Sequence, residues 1–288
     1  MNYRHAFHAG NFADVVKHAV LARIIAYLKE KPAAFRVIDT HAGAGLYDLS
    51  GAEASRTGEW RGGIGRLRAA ALPPQARALL APYLDAVAAL NGAESLDPEE
   101  TLRVYPGSPA LVRHWLRTQD RMIACEAEPI AAQALTSSLR GDNRIKAIAI
   151  DGYTALNAYV PPKERRGLVL TDPPFEQADE FARLADALGV AHRKWPTGIY
   201  VLWYPIKDVR AVEGFGRNLV RRGIARMLRA EVTVAAVRAG EKLAGSGLIL
   251  VNPPWTLEAE LALLLPALAD ILAVEKGGSQ IDWLAGEK

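Results

Sequence analysis

The stretch EVTVAAVRAGEKLAGSGLILVN, residues Glu231 to Asn252, contains two β-rich runs joined by a short polar connection. EVTVAAV (Glu231–Val237) and GLILVN (Gly247–Asn252) are rich in branched aliphatic residues, which favours strands. A parallel pair needs a crossover of about a dozen residues or more, and RAGEKLAGS is shorter than that. The two strands are therefore predicted to form an antiparallel hairpin, in which the second strand runs against the rest of the sheet.

Five earlier β-rich runs alternate with helical patterns, which indicates a parallel sheet covered by helices. These predicted strands are FRVID (Phe35–Asp39), RMIACE (Arg121–Glu126), IKAIAI (Ile145–Ile150), GLVLT (Gly167–Thr171) and GIYVLWY (Gly198–Tyr204). Seven strands ending in a reversed one resemble the order of class I methyltransferases that use S-adenosylmethionine. The predicted fold class is α/β, with a seven-stranded Rossmann-like sheet.

The segment between the first two strands is longer than one crossover helix requires. It contains EWRGGIGRLRAAAL and PPQARALLAPYLDAVAALNG, two amphipathic helical patterns that meet at Pro73 and Pro74. Residues 52–103 are predicted to form a small inserted helical subdomain, and residues 1–51 and 104–288 the core. YPGSPALVRHWLR then returns to the core, and Ser108 is expected to cap the helix that follows.

The composition is that of a large folded domain with a mild basic excess. The chain has 288 residues, and 50% of them are hydrophobic, which permits a substantial core. It carries 35 Lys and Arg against 32 Asp and Glu, a net charge of +3. This balance permits a polyanionic partner without requiring one, because only clustered charge produces a binding surface.

Cysteine usage and hydropathy indicate a cytoplasmic protein. Cys125 is the only cysteine, which excludes an internal disulfide, and its apolar neighbours MIAC predict a buried, inert thiol. The most apolar stretch, Leu261–Val274, is interrupted by Pro266 and Asp270 and is predicted to be a buried helix, not a membrane span. The N-terminus has no apolar run of the signal-peptide type, and neither a membrane nor an obligate protein partner is expected.

Acidic residues and glycines follow three predicted strands, at the edge where open α/β sheets bind ligands. The loop DTHAGAG (Asp39–Gly45) follows the first strand, Glu126 ends the second, and Asp151 with Gly152 follows the third. Glycines let the backbone approach a ligand, and an acidic residue after the second strand accepts hydrogen bonds from ribose hydroxyls. Taken alone, such a loop is also typical of a tight turn. The absent G-x-G-x-x-G pattern disfavours NAD.

The fourth strand runs into Asp172-Pro173-Pro174-Phe175, a [DNS]-P-P-[YFW] pattern typical of enzymes that methylate exocyclic amino groups. The N6 lone pair of adenine is delocalised into the ring, so this nitrogen is a poor nucleophile. A carboxylate and the Pro173 carbonyl can each accept one N–H and localise that pair, while the prolines hold the turn rigid. Asp172 can take the proton once the methyl group arrives, and Phe175 can stack on the base.

A second match to this pattern, Asn252-Pro253-Pro254-Trp255, follows the last strand. Because that strand is predicted to be antiparallel, its carboxyl end lies at the opposite edge of the sheet. This turn is interpreted as a structural turn that starts the last helix. Asp172 is therefore the predicted catalytic residue.

The N-terminal segment, YRHAFHAGNFADVVKH (Tyr3–His18), is dense in histidine and basic residues, and an amphipathic helix is predicted from Ala13 to Lys29. Together with DTHAGAG, RTGEW, YPGSP, DPPF and WYP in this order, it resembles the adenine-N6 methyltransferases of 23S ribosomal RNA, the large-subunit methyltransferase J family. The resemblance spans nearly the whole chain. It departs from the family where Phe175 replaces the commoner tyrosine and where the insertion has diverged.

The resemblance implies S-adenosylmethionine-dependent N6-methylation of a specific adenine in 23S ribosomal RNA, with that base unstacked into the DPPF turn. It implies that Asp172 is catalytic and that Tyr3 approaches the RNA, with His5 and Lys17 nearby. Pro173 and Phe175 are predicted to contact the base, and no metal ligand is predicted. The cofactor contacts that it implies are His18, His41, Ser108, Glu126, Asp151, Gly152 and Asp172.

Two basic runs are candidate phosphate contacts, KERR (Lys163–Arg166) and GRNLVRRGIARMLR (Gly216–Arg229), although such runs are also typical of solvated faces. The first precedes the fourth strand and is predicted to lie at the edge away from the site. With a net charge of only +3, the enzyme is expected to prefer naked ribosomal RNA over assembled subunits.

Three other functions fit part of the pattern. A DNA adenine-N6 methyltransferase uses the same turn, but no extended target-recognition domain is visible. A non-catalytic RNA-binding protein on a methyltransferase fold would not need Asp172 and the glycine loop. Protein glutamine methyltransferases favour Asn over Asp at the first position of the turn.

Overall fold

A computed structural model describes residues 4–93, 102–238 and 243–286 of the chain. Its strands are β1 Arg36–Asp39, β2 Leu46–Asp48, β3 Val104–Pro106, β4 Arg121–Glu126, β5 Ile145–Ala149, β6 Gly167–Thr171, β7 Ile199–Ile206, β8 Met227–Thr233, β9 Gly245–Val251 and β10 Gly278–Ala285. Its α-helices are α1 Phe12–Lys29, α2 Ala52–Thr57, α3 Glu59–Gly62, α4 Ile64–Ala69, α5 Pro74–Leu90, α6 Ser108–Trp115, α7 Pro129–Ser138, α8 Gly152–Tyr159, α9 Glu180–Lys194, α10 Val209–Arg221 and α11 Leu257–Leu272.

The central sheet has the strand order β10-β8-β9-β7-β6-β1-β4-β5, and β2 pairs with β3 separately. The five neighbouring strands β5, β4, β1, β6 and β7 are mutually parallel, whereas β9 is antiparallel to both of its neighbours. The predicted α/β fold and the reversed strand are confirmed, with eight strands in the sheet instead of seven.

The strand positions differ from the prediction at the hairpin edge. The strand expected at Glu231–Val237 starts and ends four residues earlier, as β8, Met227–Thr233, because it pairs with β10 over that range. Arg229, which reads as a surface residue in the sequence, forms an ion pair of 2.8 Å with Asp282 of β10. β10 was not predicted, since an edge strand with polar residues lacks the dense aliphatic pattern of the buried strands.

Both faces of the sheet are covered, so its central strands are apolar throughout. Val37 of β1 and Leu168 of β6 point to the layer that contains α1, α5 and α11. Ile38 and Val169, one position further on, point to the layer of α8, α9 and α10. This alternation fixes the register, because a shift by one residue would exchange the two faces.

Helix α1 starts where predicted, but it is buried on nearly all sides instead of amphipathic. The Asn11 side chain accepts hydrogen bonds from the amides of Ala13 and Asp14 and so caps the helix. The helix packs against α5, α11 and β9, and its Lys17 and His18 are buried as well as its apolar residues. The N-terminal segment is therefore not the exposed stretch that its polar composition indicates.

The inserted segment forms helices α2 to α5 over its described residues. Ile64, Leu67 and Tyr83 from this segment share one apolar core with Val16 and Val20 of α1. The division of the chain into a core and an inserted subdomain remains a prediction. Within the described ranges, no helix combines the length and the apolarity needed to cross a bilayer.

Candidate functional site

A cavity of about 450 Å³ opens at the carboxyl ends of β1, β4, β5 and β6. Parallel strands bring their following loops to one edge, so residues distant in the sequence meet there. These four strands lead into the loop after Asp39, into Glu126, into Asp151 and into Asp172, respectively. The N-terminal segment and α1 close the cavity from the side.

The glycine loop is held in a conformation that needs its glycines. Gly43 has φ +61°, and a Cβ there would lie 2.0 Å from the Tyr47 hydroxyl. Its amide donates a hydrogen bond of 2.8 Å to Glu126, which joins the loop to the end of β4. Gly152 lies against the backbone of Thr40, since a Cβ on Gly152 would lie 2.4 Å from the Thr40 carbonyl oxygen. Loop and strand ends therefore form one tight wall of the cavity.

Two of the histidines that line the cavity, His18 and His41, are neutral imidazoles. Burial lowers the pKa of His18 to about 3 and the pKa of His41 to about 4. His18 Nδ1 lies 2.7 Å from the Tyr105 hydroxyl, whereas its buried Nε2 has no hydrogen-bond partner among the described residues. An unpartnered buried nitrogen at a cavity wall is costly unless a ligand satisfies it.

Asp172 is bound to a buried pair of opposite charges on α1. Lys17 Nζ contacts both Asp172 Oδ2 and, at 2.8 Å, Asp14 Oδ1. Asp14 also accepts hydrogen bonds from the Gly10 amide at 2.9 Å and contacts His5 Nε2 at 3.0 Å. The N-terminal segment, the first turns of α1 and the DPPF turn are thus joined through one charged network.

The charges in this network stabilise one another against burial. Burial alone would raise the pKa of Asp14, but Lys17 and His5 hold it well below its usual range. Burial would likewise lower the pKa of Lys17, and the two carboxylates raise it above its usual range instead. Both groups are charged at neutral pH, so a cation lies permanently beside Asp172.

Ser108 was predicted to cap α6. It does not, and its side chain reaches into the site instead. The helix is preceded by Gly107 without a side-chain cap, and the Ser108 hydroxyl donates a hydrogen bond of 2.6 Å to Asp39. Asp39 is fully buried at the end of β1, where its carboxyl group needs a hydrogen-bond donor.

The family model for ribosomal RNA large subunit methyltransferase D, RlmJ, matches residues 32–285. Two relatives named ribosomal RNA large subunit methyltransferase J, from Haemophilus influenzae and Escherichia coli, are each 37% identical to this chain. Both alignments cover 100% of this chain and 100% of the relative. The chain belongs to the ribosomal RNA large subunit methyltransferase J family. The resemblance identified from the motifs is confirmed.

A solved structure within this similarity range supports the fold. The crystal structure of a protein from Legionella pneumophila has a TM-score of 0.85 and 33% identity to this chain. The match covers 96% of this chain and 98% of that one. The arrangement of strands and helices described above is therefore that of a relative along nearly the whole length.

Most of the predicted site residues of this methyltransferase lie on the one cavity. His18, His41, Ser108, Glu126, Asp151, Gly152 and Asp172 line it, as do His5 and Lys17. Pro173 is buried, and Phe175 packs edge-on against Phe181 at 4.9 Å and Trp203 at 5.8 Å; neither is among the lining residues. Tyr3 lies outside the described residues.

Several residues of the site were not identified from the sequence. Asp14 lies three residues before Lys17, a helical spacing that brings opposite charges together and could have indicated the pair. Asp39 stands in the DTHAGAG motif without having been assigned a role. Tyr105 stands in the YPGSP motif without having been assigned a role, because its contact with His18 depends on long-range packing. Among the residues that the structure describes, no cluster of three or more His, Cys, Asp and Glu could hold a metal ion.

The two basic runs are mostly engaged within the protein. In Lys163–Arg166, Glu164 pairs with Arg36 at 2.7 Å, and Arg166 donates to main-chain carbonyls. In Gly216–Arg229, Arg222 contacts Asp186, and Arg229 contacts Asp282. Neither run lines the cavity.

The second proline turn lies at the opposite edge, as the antiparallel strand requires. Asn252 has φ +51°, and its side-chain amide donates two hydrogen bonds of 2.8 Å, to the carbonyls of Pro196 and Gly198 before β7. We expect Asn252→Ala to lower the free energy of unfolding by about 1–3 kcal/mol, because the two hydrogen bonds to the carbonyls of Pro196 and Gly198 are lost. Methyl transfer by the folded variant should equal that of the wild type. Denaturant unfolding and a transfer assay check this, and a large loss of kcat without unfolding would contradict it.

Asp39 gives the folded protein a distinct pH dependence. Burial raises its pKa to about 7, although Ser108 and Lys17 oppose the rise. Between about pH 4 and pH 7 the unfolded chain has lost this proton and the folded protein keeps it. Stability should therefore fall as pH rises, by at most about 1.4 kcal/mol per pH unit relative to an Asp39→Asn variant. Denaturant unfolding of both proteins across this range measures the difference, and a constant difference would contradict the assignment.

Proposed function

We propose that this protein transfers a methyl group from S-adenosylmethionine to the N6 amino group of one adenine in 23S ribosomal RNA, with Asp172 as the catalytic residue. The observation that carries the proposal is the position of Asp172. This carboxylate directly follows β6 and lies in the same cavity as the glycine loop, and Lys17 holds it.

The residues of the cavity fit the donor. Acidic side chains outnumber basic ones in its lining, which suits a positively charged sulfonium compound. The lining carboxylates are Asp48, Glu53, Glu126, Glu128, Asp151, Asp172, Glu176 and Glu180, against the cations Arg4, Lys17 and Arg183. The buried and unpartnered His18 Nε2 also calls for a polar ligand atom. S-adenosylmethionine, when bound, supplies an electrophilic methyl group.

Glu126 and Asp151 have oxygens available for the nucleoside half of the donor. Each Glu126 oxygen accepts one backbone amide, from Gly43 and Glu128 at 2.8 Å, and a carboxylate oxygen can accept a second hydrogen bond. Asp151 uses only Oδ1 to cap α8 through Thr154. We assign the ribose hydroxyls to Glu126 and the adenine amino group to Asp151.

On the acceptor side, Asp172 prepares the amino group for transfer. Lys17 occupies Oδ2 and leaves Oδ1 for one N–H of the substrate, while the Pro173 carbonyl accepts the other. These two bonds draw the nitrogen lone pair out of the ring, and Asp172 takes the proton that the methylated nitrogen releases. Phe175 is fixed by Phe181 and Trp203 and is assigned to stack on the base, worth about 1–3 kcal/mol.

The names of the two curated relatives support ribosomal RNA as the substrate. An acidic cavity repels phosphates, so only the unstacked base enters it and the RNA backbone remains outside. We further propose that naked RNA is preferred over assembled particles, because the net charge of +3 gives little competition for phosphates already covered by protein. Faster turnover on particles than on purified RNA would refute that preference.

Transfer of labelled methyl groups tests the proposed function. Unmodified transcripts of 23S and 16S ribosomal RNA and duplex DNA are incubated with the protein and labelled S-adenosylmethionine. The product is then digested to nucleosides. We expect label only in 23S RNA and only as N6-methyladenosine. Label in duplex DNA would favour the DNA enzyme, and label on ribose or on another base would contradict the proposal.

A further inference from the structure

The RTGEW segment of the insertion, Arg56–Trp60, packs along Arg4–Asn11, the part of the N-terminal segment that precedes α1 and is meant by that name below. The Arg56 guanidinium lies 5.8 Å from the centre of the Phe7 ring, and the Thr57 hydroxyl donates a hydrogen bond to the Phe7 carbonyl. Trp60 packs so closely that a Cβ on Gly10 would lie 3.2 Å from the Trp60 Cβ. The contacts thus run along the length of the N-terminal segment.

Glu59 makes the central contact between these two segments. One of its oxygens lies 3.0 Å from His8 Nδ1, and the other accepts a hydrogen bond of 3.0 Å from the Asn11 side-chain amide. Asn11 uses its side-chain oxygen to cap α1. A single carboxylate therefore fixes both the N-terminal segment and the start of the helix that carries Lys17.

Backbone contacts just after this motif tighten the same junction. The Ile64 amide donates a hydrogen bond of 2.9 Å to the Gly10 carbonyl. A Cβ on Gly63 would lie 2.1 Å from the Gly10 carbonyl oxygen, so only glycine permits this approach. The insertion and the N-terminal segment are in contact over both side chains and main chain.

The segment held in this way forms a wall of the cavity. Arg4, His5 and Ala6 line the cavity, and Arg4 pairs with Glu53 of α2. His5 contacts Asp14, which in turn binds Lys17 beside Asp172. This wall lies on the side of Asp172 and Lys17, where the proposed function places the acceptor base.

We propose that Thr57 and Glu59 are positioning residues for the RNA substrate, which act by holding the N-terminal segment as the acceptor-side wall of the cavity. The inference rests on the proposed function and deepens it, because it assigns a role to the insertion. A segment that loses such contacts gains conformational freedom. Without the two side chains, RNA binding has to order residues 4–11 at a cost in affinity.

The test compares Glu59→Ala and Glu59→Gln with the wild type, and uses Glu258→Ala on α11 as the charge-matched control. We expect Glu59→Ala to lower kcat/KM for 23S RNA about tenfold, mainly through KM, since two hydrogen bonds are lost. Affinity for S-adenosylmethionine, measured by calorimetry, should change less than about twofold. Glu59→Gln, which keeps an acceptor for Asn11, should recover part of the loss.

Hydrogen exchange measures how firmly residues 4–11 are held, independently of activity. Amides of residues 4–11 should exchange faster in Glu59→Ala while those of the central sheet stay protected. Thr57→Val provides the same test should Glu59→Ala not fold. Unchanged exchange, or unchanged kcat/KM with an active wild type, would overturn the inference, as would equal losses of cofactor and RNA affinity. A wild type that does not methylate ribosomal RNA would instead count against the proposed function.

Discussion

Replacement of Asp172 by alanine is expected to lower the rate of methyl transfer by about 10²–10⁴-fold, the range over which a positioned proton acceptor acts. The variant loses both the oxygen that draws out the nitrogen lone pair and the group that takes the released proton. Single-turnover transfer to 23S RNA measures the chemical step directly.

Two controls separate chemistry from folding in this experiment. Asp172 is largely buried, with a side-chain exposure of 16%, but Lys17 keeps Asp14 as a partner when Asp172 is removed, so the variant should still fold, which thermal unfolding checks. Asn252→Ala, at the other proline turn, should retain the wild-type rate. If Asp172→Ala keeps more than a tenth of the rate, Asp172 is not the catalytic residue.

Replacement of Lys17 by methionine is expected to have the largest effect on stability, a loss of about 3–5 kcal/mol in the free energy of unfolding. The side chains of Lys17 and Asp14 are 6% and 2% exposed, so the change leaves Asp14 as a buried charge without its cation. Methyl transfer should fall as well, because Asp172 loses the group that holds it.

A second substitution tests the cause of this loss. Asp14→Asn in the Lys17→Met background removes the lone charge and should restore part of the stability, with a coupling of about 0.5–3 kcal/mol. Purely additive losses would contradict the pairing.

The pH dependence of this pair has a defined sign. In the wild type, the lowered pKa of Asp14 stabilises the fold above pH 3.8, and this contribution is lost as pH falls. The difference in free energy of unfolding between the wild type and Lys17→Met should therefore shrink in acid.

The sheet and its ligand-binding edge could be predicted because each rests on a local pattern. The aliphatic run of Gly167–Thr171 reports burial on both faces, and the short connection before β9 permits only a hairpin. Once the strand directions are set, Glu126, Asp151 and Asp172 must lie at one edge. β10 was missed because an edge strand has no such run. The predicted bounds of β8 began too late because Arg229 lies within the strand and is neutralised by Asp282, a partner far along the chain.

The side-chain network at the site could be predicted only in part. The motifs identified Lys17 and Asp172, but the sequence alone does not show that α1 is buried and brings these two groups together. Ser108 was expected to cap α6 with its hydroxyl, because the sequence does not reveal the buried Asp39 to which that hydroxyl donates. Local rules give the backbone around such a residue, whereas its hydrogen-bond partner depends on the assembled fold.

The most direct test is a crystal structure of this chain with S-adenosylmethionine or its demethylated product bound. We predict that the nucleoside lies between Glu126 and Asp151, with the sulfur facing Asp172 and Lys17 still in contact with that carboxylate. A donor bound away from Asp172, or with its sulfur turned from the DPPF turn, would contradict the assignment of this cavity as the site of methyl transfer.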